Sequence, residues 1–127
     1  MAGSPTAPHL PRLAPIDGYG KGGFRFAGMS HRGSLLCLPS GIWAWPVTQP
    51  SAISRETLAP VFAEASDIGL LLLGAGNDRW IMPDDLRAHC HALNLNVEVA
   101  RTGTAVSTYN ILLGEGRRVA AALIAVE

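Results

Sequence analysis

Gly74-Ala75-Gly76-Asn77-Asp78-Arg79 follows a run of aliphatic residues, the place where a phosphate-binding loop opens in many α/β proteins. The dinucleotide version needs three glycines at fixed positions and a helix that starts directly from them. Here the third glycine position is Arg79, and Trp80-Ile81-Met82-Pro83 postpones the next helix, so a Rossmann cofactor site fails. A coarser expectation survives, because open α/β sheets bind ligands beyond the carboxyl ends of their strands. Two such ends carry suitable groups. One offers Gly74, Gly76, Asn77 and Arg79; the other is Arg101-Thr102-Gly103-Thr104, where the hydroxyls of Thr102 and Thr104 and a helix N-terminus suit an anion. If the two strands are neighbours, the turns face one crevice. Otherwise both are tight connectors with capping threonines.

Other chemistry is harder to find. His89-Cys90-His91 invites a metal reading, but on a helix residues two apart point about 200° from each other, so one ion cannot take both imidazoles. Nothing nearby completes a tetrahedral set, and no metal or other cofactor is expected. Ser34, Cys37 and Ser107 lack a nucleophile signature such as GxSxG, so no catalytic residue is assigned. Tyr109, Asn110, Glu115 and Arg117 lie on or just after a helix, and Asn110 is polar beside Ile111-Leu112-Leu113. Such a group needs a partner. Either Asn110, Glu115 and Arg117 contribute to a site, or they bind backbone groups and one another. Trp43 and Trp45 bracket Ala44 in a strand and so share a face. They form either an exposed partner-binding ridge or a cover over one end of the core.

The elements that would position these groups follow from hydrophobic periodicity. Residues 1–22 read as a proline- and glycine-rich arm, flexible or draped over the domain, with residues 23–127 as that domain. Phe24, Phe26 and Gly28 alternate with Arg25 and Ala27 as a strand, Met29 to Gly33 reads as a polar turn, and Ser34 to Leu38 and Ile42 to Val47 are strands around Pro39-Ser40-Gly41. Together the three form an antiparallel meander. Thr57 to Ala65 reads as a helix, with Thr57 as N-cap and Pro60 in the first turn. Ile68 to Leu73 is a strand buried on both faces. Pro83 opens a second helix with Asp84 and Asp85 at its positive end, an apolar stripe of Leu86, Cys90 and Leu93, and Asn94 as a left-handed exit. Leu95, Val97 and Val99 alternate as a strand, Thr104 to Leu113 is a third helix, and Val119 to Val126 a last strand. The order predicts a layered α/β domain with a largely, but not wholly, parallel sheet.

The bulk numbers fit one such domain. With 127 residues, 48% hydrophobic and 16% charged, the chain can bury a self-sufficient core. Ten basic residues balance ten acidic ones, which gives no support to nucleic-acid binding and favours association, including a homo-oligomer. Cys37 and Cys90 lack CxxC spacing and sit in apolar runs, as small hydrophobes in a reducing compartment do. No secretory h-region appears, and the longest apolar run falls far short of the ~20 residues of a membrane span. The expected location is the cytoplasm.

Gly103 to Leu123, read as T-Y-N on a helix, E-G-R after it and an apolar V-A-A-A-L strand, resembles the Mth-nine-three-eight-like family. Leu71 to Gly76, L-L-L-G-A-G, is similar to that family's strand-to-glycine turn, with Ala75 where a threonine is common. The likeness runs from about Ile16 to Val126. It implies a single three-layer α/β domain with a central mixed, mostly parallel sheet flanked by helices, behind an N-terminal β-meander. Members include a mitochondrial assembly factor for respiratory complex I (NADH dehydrogenase). The family carries no agreed catalytic residues. The resemblance therefore implies a non-enzymatic binding or assembly module with a protein partner; a small-molecule or anion site in the crevice is the alternative. The arm has only Arg12 and Lys21 as basic residues, which does not fit a mitochondrial transit peptide and favours a bacterial cytoplasmic protein.

Overall fold

The computed structural model describes residues 7–127. Residues 1–6, with the start of the expected arm, lie outside it. Three strands open the fold: β1 (Ile16–Gly20), β2 (Gly23–Phe26) and β3 (Met29–Arg32), antiparallel in that order. Each joint is a two-residue turn with both residues at positive φ, Lys21-Gly22 and Ala27-Gly28. This is the turn geometry whose twist matches paired strands. Two sequence expectations are corrected here. Met29 to Arg32 is a strand, not a polar turn, and Ile16 to Gly20 is a strand, not the end of an arm. Lys21 and Ala27 hide these turns, because neither is a residue that normally advertises positive φ.

The main sheet has five strands in the order β5-β4-β8-β6-β7: β4 (Ser34–Leu38), β5 (Gly41–Trp45), β6 (Leu70–Gly74), β7 (Val97–Ala100) and β8 (Val119–Leu123). β6 is parallel to β7 and β8, while β4 is antiparallel to β5 and β8. The sheet is mixed, with its ladders evenly divided. The expected meander is therefore redistributed, since β4 and β5 are a hairpin of the main sheet and only β2 of the three expected strands belongs to the small one. The three stretches expected to lie side by side, at 68–73, 95–99 and 119–126, are neighbours as β6, β7 and β8.

Alternation places two cores on the two faces of this sheet. Leu71, Leu73, Ala120 and Ala122 face α1 (Ala59–Ala63) and α2 (Asp84–Ala92), packing with Val61, Leu86 and Cys90. Leu72, Ala121 and Leu123 face α3 (Thr102–Gly114) and the small sheet, packing with Phe24, Phe26, Ala105 and Tyr109. The result is three layers.

The helix limits differ from expectation in instructive ways. α1 is one short turn capped by Leu58, with Pro60 in its first turn. Thr57 instead closes the preceding turn, its hydroxyl accepting from the Ser54 N–H at 2.8 Å and donating to the Ala52 carbonyl at 2.9 Å. α3 begins two residues early, at Thr102. Leu93 follows α2 and is 37% exposed, outside the stripe assigned to it. Asn94 does leave the helix with φ 55°. β8 stops at Leu123, and the chain beyond it is held by the Thr102 and Ser34 hydroxyls and by backbone bonds to Gly74 and Gly22.

Candidate functional site

Because β6 and β7 pair in register up to Gly74 and Ala100, the turn after β6 meets the start of α3. Their polar atoms, however, bind each other. Thr102 is fully buried, and its N–H donates to the Gly76 carbonyl at 2.9 Å. Its Oγ1 accepts from the Gly76 N–H at 3.0 Å and donates to the Ile124 carbonyl at 2.7 Å. Gly74 lets α3 approach, since a Cβ there would stand 2.9 Å from the Thr102 Cα, and Gly76 supplies φ +93° for the turn. A Cβ on Gly103 would strike the Tyr19 hydroxyl, so β1 roofs the helix N-terminus. This corner is a structural joint.

The other candidates are scattered around it. Asn77, Arg79 and Thr104 are exposed. Asn110 clamps β1: its Oδ1 accepts from the Ile16 N–H and its Nδ2 donates to the Ile16 carbonyl, each at 2.8 Å. Tyr109 is buried beside it and donates to the Ala14 carbonyl at 2.8 Å. Glu115 follows α3 as its C-cap and Arg117 lies beyond, both exposed. Thirteen residues of helix separate Thr102 from them, roughly 20 Å at 1.5 Å per residue. Glu115 and Arg117 therefore stand far from Thr102 and Gly76, and Asn110 is turned to β1 instead.

Two cavities do stand out. The larger, about 760 Å³, lies between the β4–β5 hairpin and α1. Leu36 and Leu38 line it together with Trp43, Trp45, Pro60 and Ala63, and Arg32, Glu56 and Glu64 also border it. The two indoles share this face as expected, but Trp45 is only 3% exposed and donates to the Thr57 carbonyl at 2.8 Å. It is a wall of the core, so an exposed ridge of both tryptophans is ruled out. Trp43 is half-buried and donates to Ser40 Oγ at 2.9 Å, and that hydroxyl donates to Glu64 Oε2 at 2.6 Å. The smaller cavity, about 360 Å³, lies at the carboxyl ends of β6 and β7. Arg79, Arg87 and Arg101 line it with Trp80, Met82 and Val99, and Asp78 is the sole carboxylate in the lining. Arg101 belongs to the second turn named from the sequence, whereas Arg87 is new, because no fixed spacing links three residues from three elements.

His31 borders the larger cavity and packs against His9 with ring centroids 4.6 Å apart and the rings tilted by 47°. Burial, and then the neighbouring His9, hold its pKa below the usual histidine value, against a weaker upward pull from the Ser34 carbonyl. A base whose pKa is lowered by folding binds its proton more readily unfolded, so this contribution to stability is present above pH ~6.5 and is lost as pH falls towards the folded value. An NMR titration is expected to give His31 a midpoint below that of a free histidine, and His9→Ala is expected to raise it. An unchanged midpoint in that variant would refute the coupling.

Neither cysteine is poised for chemistry. Cys37 is fully buried and burial pushes its pKa up to about 12, while burial also raises that of Cys90. A thiol-specific reagent at pH 8 should leave Cys37 intact in the native protein and modify it in denaturant, because the thiolate is the nucleophile. Rapid native labelling of Cys37, read by mass spectrometry, would contradict this. Among the described residues no set of three or more His, Cys, Asp or Glu side chains could hold a metal ion, and His89 packs edge-on to Phe62 at 4.7 Å. Among them, too, no helix is long and apolar enough to cross a membrane.

Residues 16–124 match the model of a protein family described as "Protein of unknown function (DUF498/DUF598)". The chain belongs to this family. It is 40% identical to an uncharacterized protein of Rhodobacter capsulatus over 95% of this chain and 92% of that one. It is 29% identical to the mouse NADH dehydrogenase [ubiquinone] 1 alpha subcomplex assembly factor 3, over 91% of this chain but 62% of the mouse protein. The chain thus spans about three fifths of that relative. Among solved structures, a Bartonella henselae protein described as an outer membrane protein superposes with a TM-score of 0.90 at 46% identity, covering 94% of this chain and all of that one. A Rhodopseudomonas palustris protein gives 0.84 at 54% identity, covering 99% and 93%. A Bordetella pertussis protein described as an Mth938-like domain gives 0.78 at 25% identity, covering 89% and 86%, in line with the resemblance read from the T-Y-N and L-L-L-G-A-G segments.

Proposed function

We propose that this protein is a non-enzymatic, cytoplasmic binding module that seats a protein partner in the cleft between the β4–β5 hairpin and α1, in the assembly of a larger complex. The carrying observation is the character of that cleft. Its floor and walls are leucine, tryptophan and proline, and charged residues border it, which is the anatomy of an interface core with a polar rim. The polar groups of Trp43, Trp45, Ser40 and Glu64 are engaged with one another or with backbone, and Arg32 and Glu56 stand at the exposed rim. The name of the mouse relative supports an assembly role, although the shared region is only part of that protein.

The test is binding by the full chain. Native capture is expected to recover one stoichiometric partner, or a second copy of this chain, and Trp43→Ala is expected to weaken the complex by about tenfold or more, as loss of an aromatic anchor does. Retained thermal stability in Trp43→Ala would separate this from misfolding. Undiminished binding by that variant would remove the cleft from consideration.

A second reading is favoured by the arginines around the smaller cavity. It is ligand binding at the carboxyl ends of β6 and β7, on groups other than Thr102 and Gly76.

A further inference from the structure

We infer that the cavity at the carboxyl ends of β6 and β7 binds an organic phosphate, with Arg79, Arg87 and Arg101 holding the phosphoryl group and Trp80 flanking the organic part; this rests on the second reading above and names its ligand. The first reason is the distribution of charge. The chain as a whole is neutral, with ten basic and ten acidic residues, yet three of the ten basic ones line this single cavity against one carboxylate, Asp78. Like charges gathered in a concavity repel one another, and an anion relieves that repulsion.

The second reason is origin. Arg79 comes from the segment after β6, Arg87 from α2, and Arg101 from the N-cap of α3. They converge because β6 and β7 are adjacent and parallel, with α2 joining them, at the sheet end where open α/β folds place ligands. Arg101 also stands at the positive end of the thirteen-residue α3, whose dipole favours negative charge.

The third reason is the match of donors and size. Each guanidinium presents a planar fork of N–H donors. Phosphate offers three terminal oxygens and close to two negative charges, enough for three forks, whereas a carboxylate has two oxygens and one charge. At about 360 Å³ the cavity falls in the range of small-molecule sites and exceeds a bare phosphate. Trp80, Met82 and Val99 supply apolar surface for the remainder.

The experiment is an NMR titration of the full-length protein with phenyl phosphate, inorganic pyrophosphate and benzoate, following the Trp80 indole N–H and the arginine Nε–H signals. Phenyl phosphate is expected to shift the Trp80 signal saturably, to bind at least about tenfold more tightly than benzoate, and to weaken about tenfold in each of Arg79→Gln, Arg87→Gln and Arg101→Gln, the loss of one charge-assisted contact. Amide spectra of the variants report that they remain folded, as exposed positions should allow. Benzoate binding as tightly as phenyl phosphate would overturn the phosphate class while leaving a ligand site standing. No shift with any of the three, or shifts indifferent to all three substitutions, would overturn both.

Discussion

Thr102→Val should be among the most damaging single substitutions in this chain, lowering stability by about 2–4 kcal/mol, because two buried backbone groups lose their partner at once. Valine keeps the shape and removes the oxygen that accepts from the Gly76 N–H and donates to the Ile124 carbonyl. Both groups lie where water does not replace the lost bond, and Thr102 itself is fully buried. For a domain of this size that corresponds to a fall in the unfolding temperature of roughly 10 °C. Thr102→Ser keeps the hydroxyl and deletes one methyl, so its cost is about 1 kcal/mol. Thermal unfolding of the two variants side by side is the measurement. A valine variant as stable as the serine variant would show that the threonine is not the pin between the β6 turn and the segment after β8.

The second large effect is expected at the neighbouring glycine. Gly74→Ala places a Cβ 2.9 Å from the Thr102 Cα, 3.1 Å from Leu123 Cδ2 and 3.2 Å from the Ala105 Cβ, so α3 must move away from the sheet. Overpacking of this kind costs about 1–3 kcal/mol, and Gly74→Val more. Gly76, two residues on, gives the contrast. Nothing lies within 4 Å of a Cβ there, and only its φ of +93° resists a side chain. Gly76→Ala should therefore cost roughly 1–2 kcal/mol through backbone strain alone. Denaturant midpoints should rank wild type above Gly76→Ala, and Gly76→Ala above Gly74→Val. Equal midpoints for the wild type and Gly74→Val would mean that the helix does not approach as described.

Together these residues explain why a G-A-G turn after a buried strand looks like a cofactor loop without being one. Gly74 admits a helix backbone, Ala75 is buried with its N–H on the Ala100 carbonyl, and Gly76 turns the chain back to meet Thr102. The T-Y-N segment has a similar account. Tyr109 and Asn110 direct their polar atoms to the backbone of Ala14 and Ile16, which fastens β1 against α3. The same clamp accounts for the strand found where prolines and glycines predicted a loose arm. It acts across more than ninety residues of sequence, so local composition could not reveal it.

What the amino-acid order determined unaided was the set of strongly periodic elements. The aliphatic run at 70–74, the alternation at 97–100 and the alanine-rich strand at 119–123 carry their burial in their own composition, and their adjacency followed from α/β logic. The G-A-G and T-Y-N segments likewise sufficed for the family. Tertiary structure alone decided the rest. Hairpins turning on Lys21 and Ala27 needed neighbouring strands to enforce a positive φ that those side chains do not favour. The fate of each candidate residue depended on what stood opposite it: Thr102 and Asn110 make structural bonds to backbone, while Arg79, Arg87 and Arg101 come to line one cavity only through strand order. Hydrophobic period is a local property, whereas a polar group's role is fixed by partners far along the chain.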